Sequence, residues 1–424
     1  MTSAEEYQIM TGNHAAANAC KAARIQAVAA YPITPQSPVV EKISSFIENG
    51  ELNARMIRVE SEQSALTACV AASATGVRVY TATSSHGLLL MYEILCWAAG
   101  NRLPIVMNIA MRSLGAPWSV WTDHQDAFTV RDTGWIEMFC EDNQEIYDTN
   151  LQAYRIAEDP SVYVPTFVNY DGYILSHTSM LVKLEPQNKV DEFLPPLKHH
   201  LNLGDMNVVK GVCPVTTPNI IKREEGTAPG YYEFRYSLQR AIENSINKVK
   251  EVHDLFAKKF GRSYGNGIYK TYRAEDAEMF IFAVGSVASE SRLAIDKLRE
   301  KGQKIGLISL KLFRPFPAKY LREVFKEAKL ITVFDRDIGY GYEGILSYEL
   351  KSALYQLKNR PFIKGYIVGL GGRDIKVKDL IDGVYRAIEL EKKNEYSEQT
   401  EFIGLKLDEL DFLKNEVKGK FIHA

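Results

Sequence analysis

Apolar and polar positions along the chain fall into two blocks of strand-like and helix-like periodicity. The first block runs from about Ile9 to Leu184. Gly76 to Thr83, Leu103 to Ala110 and Val162 to Val168 read as strands. Between the first two, Leu88 to Ala99 has helical spacing, with Leu88, Met91, Tyr92 and Leu95 on one apolar face. A strand–helix–strand rhythm predicts a mostly parallel sheet covered by helices. The second block runs from about Ala274 to Glu389. It opens with the apolar run Met279 to Val284, followed by Gly285-Ser286 and a helix with Ser286 as N-cap and Gly302 as stop. Val287, Ala294, Ile295 and Leu298 give that helix its apolar face. Ile305–Leu310, Leu330–Phe334 and Phe362–Val368 are further strands.

Between the blocks, from about Glu185 to Arg273, the pattern weakens. Pro195-Pro196, Pro214, Pro218 and Pro229 interrupt it, His199-His200 sits among charges, and one helix is predicted from about Tyr236 to Phe260. This stretch reads as a linker or as an extended arm packed on a neighbour. The last residues, from about 390, are highly charged and read as a peripheral helix or a subunit-contacting tail.

Composition adds exclusions. With 51 Lys+Arg against 53 Asp+Glu, bulk charge does not direct the chain to nucleic acid or an anionic membrane. Apolar residues at 46% suit a globular protein of more than one core, and charges interrupt every long apolar run. The start, MTSAEEYQIM, is acidic and lacks a secretory pattern, so a cytoplasmic protein is expected. Cys20, Cys69, Cys96, Cys140 and Cys213 form no C-x-x-C, which leaves no framework for zinc or iron–sulfur clusters.

Three segments carry candidate chemistry. In Tyr31-Pro32-Ile33-Thr34-Pro35-Gln36-Ser37-Pro38, prolines fix the backbone around Thr34, which preorganises its hydroxyl. A plain strand-to-helix turn capped by Thr34 or Ser37 is the alternative. Arg58-Val59-Glu60-Ser61-Glu62-Gln63 leads into a helix of small residues. Successive helical residues turn by about 100°, so at most one of Glu60 and Glu62 faces a given ligand; first-turn acids also simply complement the helix dipole. Arg112 directly follows a predicted strand, where crevices form in parallel sheets, and its planar fork suits a carboxylate. An interface ion pair would also explain it. Thr83-Ser84-Ser85-His86-Gly87 ends the preceding strand and can contact a ligand through hydroxyls, imidazole or backbone. Asp123-His124-Gln125-Asp126 reads as loop hydrogen bonding rather than a metal site.

Taken in order, these segments resemble the α subunits of the 2-oxoacid:ferredoxin oxidoreductase family, which includes pyruvate:ferredoxin oxidoreductase (pyruvate synthase). The resemblance runs through Thr11 to Ala17, Tyr31 to Pro35, Ser61-Glu62, Thr81 to Leu88, Arg112 with Asp123 to Asp126, and Arg131 to Trp135; it continues in Ala283 to Ser286 and Leu312 to Pro317. It implies an α/β fold. Residues 1–190 would be a pyrimidine-binding thiamine diphosphate domain, 191–273 a linker or arm, 274–389 a domain similar to the transketolase C-terminal domain, and 390–424 a tail.

The resemblance also implies a chemistry. Thiamine diphosphate is shared with a partner subunit. Glu62 hydrogen-bonds N1′ of its aminopyrimidine and favours the imino tautomer needed to deprotonate C2. Tyr31, Pro32, Ile33, Ser85, His86 and Gly87 complete the cofactor contacts. Thr34 and Arg112 bind the 2-oxoacid, as hydrogen-bond donor and carboxylate clamp, with Tyr31 shaping the pocket. His86 departs from the glutamine of many relatives, and Trp118 and Trp121 lie close after Arg112. No G-D-G motif for the diphosphate exists in this chain; Gly204-Asp205-Met206 is the nearest approach. A β subunit is therefore expected to supply the diphosphate and Mg²⁺ site, and partner γ or ferredoxin-like δ subunits the [4Fe-4S] clusters, with coenzyme A as co-substrate and ferredoxin as acceptor. Pyruvate is the expected substrate; a branched-chain or aryl acid such as phenylglyoxylate is the alternative. A transketolase-like enzyme without electron transfer is the competing reading, and a non-catalytic scaffold of the same fold a third.

Overall fold

The computed structural model describes residues 6–198, 222–223, 226–227, 231–395 and 400–406. Cys213, His199-His200, Gly204-Asp205-Met206, Pro214, Pro218, Pro229 and the tail beyond 406 lie outside the described residues. The chain divides into two compact units. One comprises Met1–Thr271 with Val284–Ser289 and Ser309–Pro317; the other holds Tyr272–Ala283, Glu290–Ile308 and Ala318–Ala424.

The first unit begins β1 (Glu6–Thr11), α1 (Gly12–Ala22), β2 (Ala27–Ala29), α2 (Ser37–Glu48), β3 (Arg55–Ile57), α3 (Glu62–Ala74) and β4 (Val79–Thr83). It continues through α4 (Ser85–Leu90), α5 (Tyr92–Gly100), β5 (Val106–Met111), α6 (Gln125–Thr129), β6 (Ile136–Phe139) and α7 (Asn143–Ala157). Then come β7 (Thr166–Asp171), β8 (Ser179–Leu184), α8 (Gln187–Phe193) and α9 (Tyr231–Phe260). The main sheet has the order β6-β7-β5-β4-β2-β3, all parallel, and the strand Leu312–Arg314 adds to β6 antiparallel. β4, β5, β6 and β7 are buried at every residue, as strands of a sheet covered on both faces must be. β1 and β8 pair separately.

The helix expected from 236 to 260 is α9, and Leu238, Ala241, Ile242, Ser245, Val249, Val252, Phe256 and Phe260 form its buried stripe. The helix expected over 88–99 is instead two, α4 and α5, broken at Met91. Leu88, Met91 and Leu95 are buried as expected, but the break turns Tyr92 outward, 43% exposed.

The second sheet contains β9 (Met279–Ala283), β10 (Ile305–Leu310), β11 (Leu330–Asp335), β12 (Phe362–Ile367) and β13 (Glu401–Phe402), in the order β10-β9-β11-β12-β13. Its helices are α10 (Gly285–Glu300), α11 (Ala318–Phe325), α12 (Ile345–Leu354) and α13 (Val377–Lys393). Val287, Ala294, Ile295 and Leu298 are buried as predicted. Ser286 is not the N-cap: α10 already begins at Gly285, and the Ser286 N–H donates to the Asp171 carboxylate at 2.8 Å. A carboxylate distant in sequence thus takes the capping role that Ser286 was expected to play. No described helix is long and apolar enough to cross a membrane.

One buried acid in β6 makes stability depend on pH. Glu137 is fully buried; Oε1 accepts from Asn169 Nδ2 at 2.9 Å, and Oε2 meets no described partner. Burial pushes its pKa up to about 8, against the weaker pull of Arg314 and the Asn169 bond. The native state therefore keeps a proton that the unfolded chain releases from about pH 4.5 upward. Its favourable contribution is complete below that pH and is lost as pH rises toward 8. Glu137→Gln is expected to be more stable than the parent by about 2–4 kcal/mol at pH 8 and little different at pH 5. Unfolding midpoints across this range check it; parallel curves for the two proteins would mean that Glu137 is not protonated in the fold.

Candidate active site

The carboxyl ends of four adjacent parallel strands, β3, β2, β4 and β5, lead into the segments singled out above. Such a sheet edge is where α/β folds form ligand crevices. After β3 comes Glu62, after β2 the Tyr31–Pro38 turn, after β4 Ser84 to Gly87, and after β5 Arg112.

Glu62 opens α3. Ser61 is its N-cap in extended conformation and accepts the Ser64 N–H at 3.2 Å, so the helix starts where its orphan amides favour an acid. Glu60 lies outside the helix, exposed, and accepts the Ser64 hydroxyl at 2.5 Å. Glu62 turns inward, 8% exposed, and its carboxylate bonds to no described residue. It lies against Gly87: a Cβ there would stand 2.5 Å from Glu62 Oε1 and 2.7 Å from Thr83 Oγ1. The Thr83 hydroxyl is buried and also lacks a described partner. Burying polar groups without partners is costly, and the bare Gly87 gives the Glu62 carboxylate its place, with the acceptors of Glu62 left for a ligand.

The Tyr31–Pro38 turn is held from below. Gln36, fully buried, donates to Ala82 O at 2.6 Å, and Asn13 donates to Pro35 O at 2.7 Å. Gln36, not Thr34 or Ser37, occupies the N-cap of α2 and makes no side-chain cap bond. Tyr31, Pro32 and Thr34 are exposed, and Ile33 is half-buried.

Arg112 joins this turn. Its Nη1 donates to the Thr34 carbonyl at 2.7 Å and its Nε to Ser119 O at 3.0 Å. Its guanidinium carbon lies 4.6 Å from the ring centre of Trp118, which is 74% exposed. Nη2 has no described partner. Burial lowers the guanidinium pKa, partly offset by Asp126 and Tyr173. The sheet edge thus brings Thr34 and Arg112 together, but through the Thr34 carbonyl, leaving its hydroxyl out of the bond.

The segment after β4 is tied to the loop after β5. Ser84 Oγ donates to Ala110 O at 2.7 Å and Ser85 Oγ to Ser113 O at 2.6 Å. His86 Nε2 accepts the Gly115 N–H at 2.8 Å, which puts the proton of a neutral ring on Nδ1. The D-H-Q-D loop is held by hydrogen bonds, as expected. Asp123 accepts the Gln125 N–H at 2.9 Å, and His124 Nε2 meets Asp171 at 2.9 Å. Asp126 is fully buried and accepts the N–H groups of Ser85 at 2.7 Å, Arg112 at 3.0 Å and Ala127 at 2.8 Å. Burial raises its pKa to about 7, against the pull of those three amides. The Asp126 bonds and the Trp118–Arg112 stack have no counterpart in the sequence reading. Cys20, Cys69 and Cys140 are buried free thiols, and Cys96 is half-buried.

The architecture is α/β, and the family model matched by its first unit is a thiamine-diphosphate-binding one. Residues 18–254 match the family model described as pyruvate flavodoxin/ferredoxin oxidoreductase, thiamine diphosphate-binding, and residues 277–380 match pyruvate:ferredoxin oxidoreductase core domain II. Ketoisovalerate oxidoreductase subunit VorA of Pyrococcus horikoshii is 47% identical over 88% of this chain and 91% of its own length. Pyruvate synthase subunit PorA of Methanocaldococcus jannaschii is 43% identical over 88% of this chain and 93% of its own. The chain belongs to the pyruvate:ferredoxin oxidoreductase family of oxidoreductase subunits. Its fold is like that of a 2-oxoglutarate:ferredoxin oxidoreductase from Magnetococcus marinus (TM-score 0.68, 19% identity, 91% of this chain and 66% of that one). A split-gene transketolase is a more distant likeness (TM-score 0.51, 11% identity, 90% of this chain and 99% of that one).

Proposed function

We propose that this chain is the α subunit of a 2-oxoacid:ferredoxin oxidoreductase that converts a short aliphatic 2-oxoacid and coenzyme A to acyl-CoA and CO₂. The observation that carries the reading is a pair of uncommitted groups along one sheet edge: the Glu62 carboxylate and Arg112 Nη2.

The partly buried Glu62 carboxylate, which bonds to no described residue and is given its place by the bare Gly87, fits the aminopyrimidine of thiamine diphosphate. When bound, thiamine diphosphate supplies the electron sink that decarboxylation of a 2-oxoacid requires. Glu62 exchanges a proton with ring nitrogen N1′. Arg112, fixed by Thr34 and Ser119 and stacked on Trp118, presents Nη2 to the substrate carboxylate. The Thr34 hydroxyl donates to the substrate, and Tyr31, Pro32 and Ile33 form the wall. His86 and Ser85 act from behind, through the loop after β5. A β subunit holds the diphosphate and Mg²⁺, since this chain has no G-D-G. Partner γ or δ subunits would hold the [4Fe-4S] clusters, which would supply the electron path to ferredoxin.

Relatives named for ketoisovalerate (47% identity) and for pyruvate (43%) divide the substrate question, and the greater identity favours the branched-chain acid. The deciding experiment is a panel of pyruvate, 3-methyl-2-oxobutanoate and phenylglyoxylate, assayed with the intact complex, coenzyme A and a low-potential dye. CO₂ release that needs both thiamine diphosphate and coenzyme A, with the highest kcat/KM for 3-methyl-2-oxobutanoate, is expected. A highest value for pyruvate would restore that acid as substrate. A colourless homo-oligomer that transfers carbon units without reducing the dye would overturn the reading.

A further inference from the structure

We infer that Asp126 is a positioning residue that sets Arg112 at its working distance from the segment carrying Gly87. The inference rests on the reading of Arg112 as the substrate clamp. A single carboxylate oxygen, Asp126 Oδ2, accepts both the Ser85 N–H at 2.7 Å and the Arg112 N–H at 3.0 Å. These amides belong to different strand exits, one after β4 and one after β5. The β4–β5 pairing ends at Thr83 and Ile109, so the carboxylate joins the two segments where strand pairing no longer does. Ser85 sits at φ 50°, a left-handed conformation costly for a serine, and the bond to Asp126 helps hold it there. Two residues further on, Gly87 carries the face on which Glu62 rests. Movement of Asp126 would shift Arg112 against this segment without touching any ligand.

A fully buried carboxylate served only by amide donors is an expensive way to tie two loops. The hydroxyls of Ser84 and Ser85 already link them through Ala110 O and Ser113 O. What Asp126 adds is a fixed backbone position for Arg112 itself.

The test is a double-mutant cycle of Asp126→Asn and Arg112→Ala in the intact complex, using the best 2-oxoacid of the panel. The readouts are KM and kcat, the Kd of the corresponding 2-hydroxy acid by calorimetry without turnover, and the unfolding midpoint. D126N alone is expected to raise KM and Kd by about tenfold, the scale of one hydrogen bond to a charged group. In the R112A background it should change them less than about twofold, because no clamp is left to misplace. Effects that multiply independently, or a lower midpoint with KM unchanged, overturn the inference while leaving the Arg112 reading intact. If R112A itself leaves KM unchanged, the reading of Arg112 fails and the inference falls with it. Should D126N not assemble, Asp126→Glu keeps the charge and displaces the carboxylate. It is expected to raise KM likewise, and an unchanged KM in that variant overturns the inference.

Discussion

Glu62→Gln is expected to leave the complex assembled and turnover reduced by about 10²–10⁴-fold, the usual range for losing a positioned proton-transfer group. Glutamine has nearly the same shape, so the start of α3 and the contact with Gly87 should persist. What disappears is a carboxyl that can exchange its proton with a ring nitrogen. In the fold that carboxyl bonds to nothing described, so its removal breaks no internal structure. Thiamine diphosphate affinity, measured by titration, should change far less than kcat. Gly87→Ala attacks the same atom by crowding, since its Cβ would stand 2.5 Å from Oε1. It should lower kcat with Glu62 still present. A Glu62→Gln enzyme at near-parental rate would remove Glu62 from the chemistry.

The second large effect belongs to Arg112→Ala. A charged hydrogen bond is worth about 1.5–3 kcal/mol, so KM for the 2-oxoacid is expected to rise by about 10–100-fold. Thiamine diphosphate affinity should move by less than about threefold, because the proposed partner of Arg112 is the other reactant. The substitution also removes the donor to the Thr34 carbonyl and the cation over Trp118. A change in cofactor affinity as large as the change in KM would mean that Arg112 only holds the turn together.

Much of the architecture was legible because it follows from local pattern. The run Ile305–Leu310 is β10 to the residue, and the apolar face of α10 is buried as its spacing requires. That Glu60 and Glu62 do not face the same way was legible too; the choice of Glu62 came from the Ser61-Glu62 step of the resemblance, and the fold leaves Glu60 exposed outside α3. Errors arose where distant residues decide. Ser286 reads as a cap, but Asp171, far off in sequence, takes that role. Tyr92 reads as part of an apolar face, but the break at Met91 turns it outward. The bond from Arg112 to the Thr34 carbonyl also joins residues far apart in sequence, and it leaves the Thr34 hydroxyl uncommitted. The three amides on Asp126 and the stacking of Trp118 on Arg112 join segments brought together only by strand order, and no periodicity announces them.

The exposed indole above Arg112 also makes the pocket its own optical probe. Its emission is expected to respond to the guanidinium beneath it, so if a guest acid draws this cation aside, the light from Trp118 should change. Occupancy can then be followed in the dark phase of the enzyme, with no acceptor added and no bond broken.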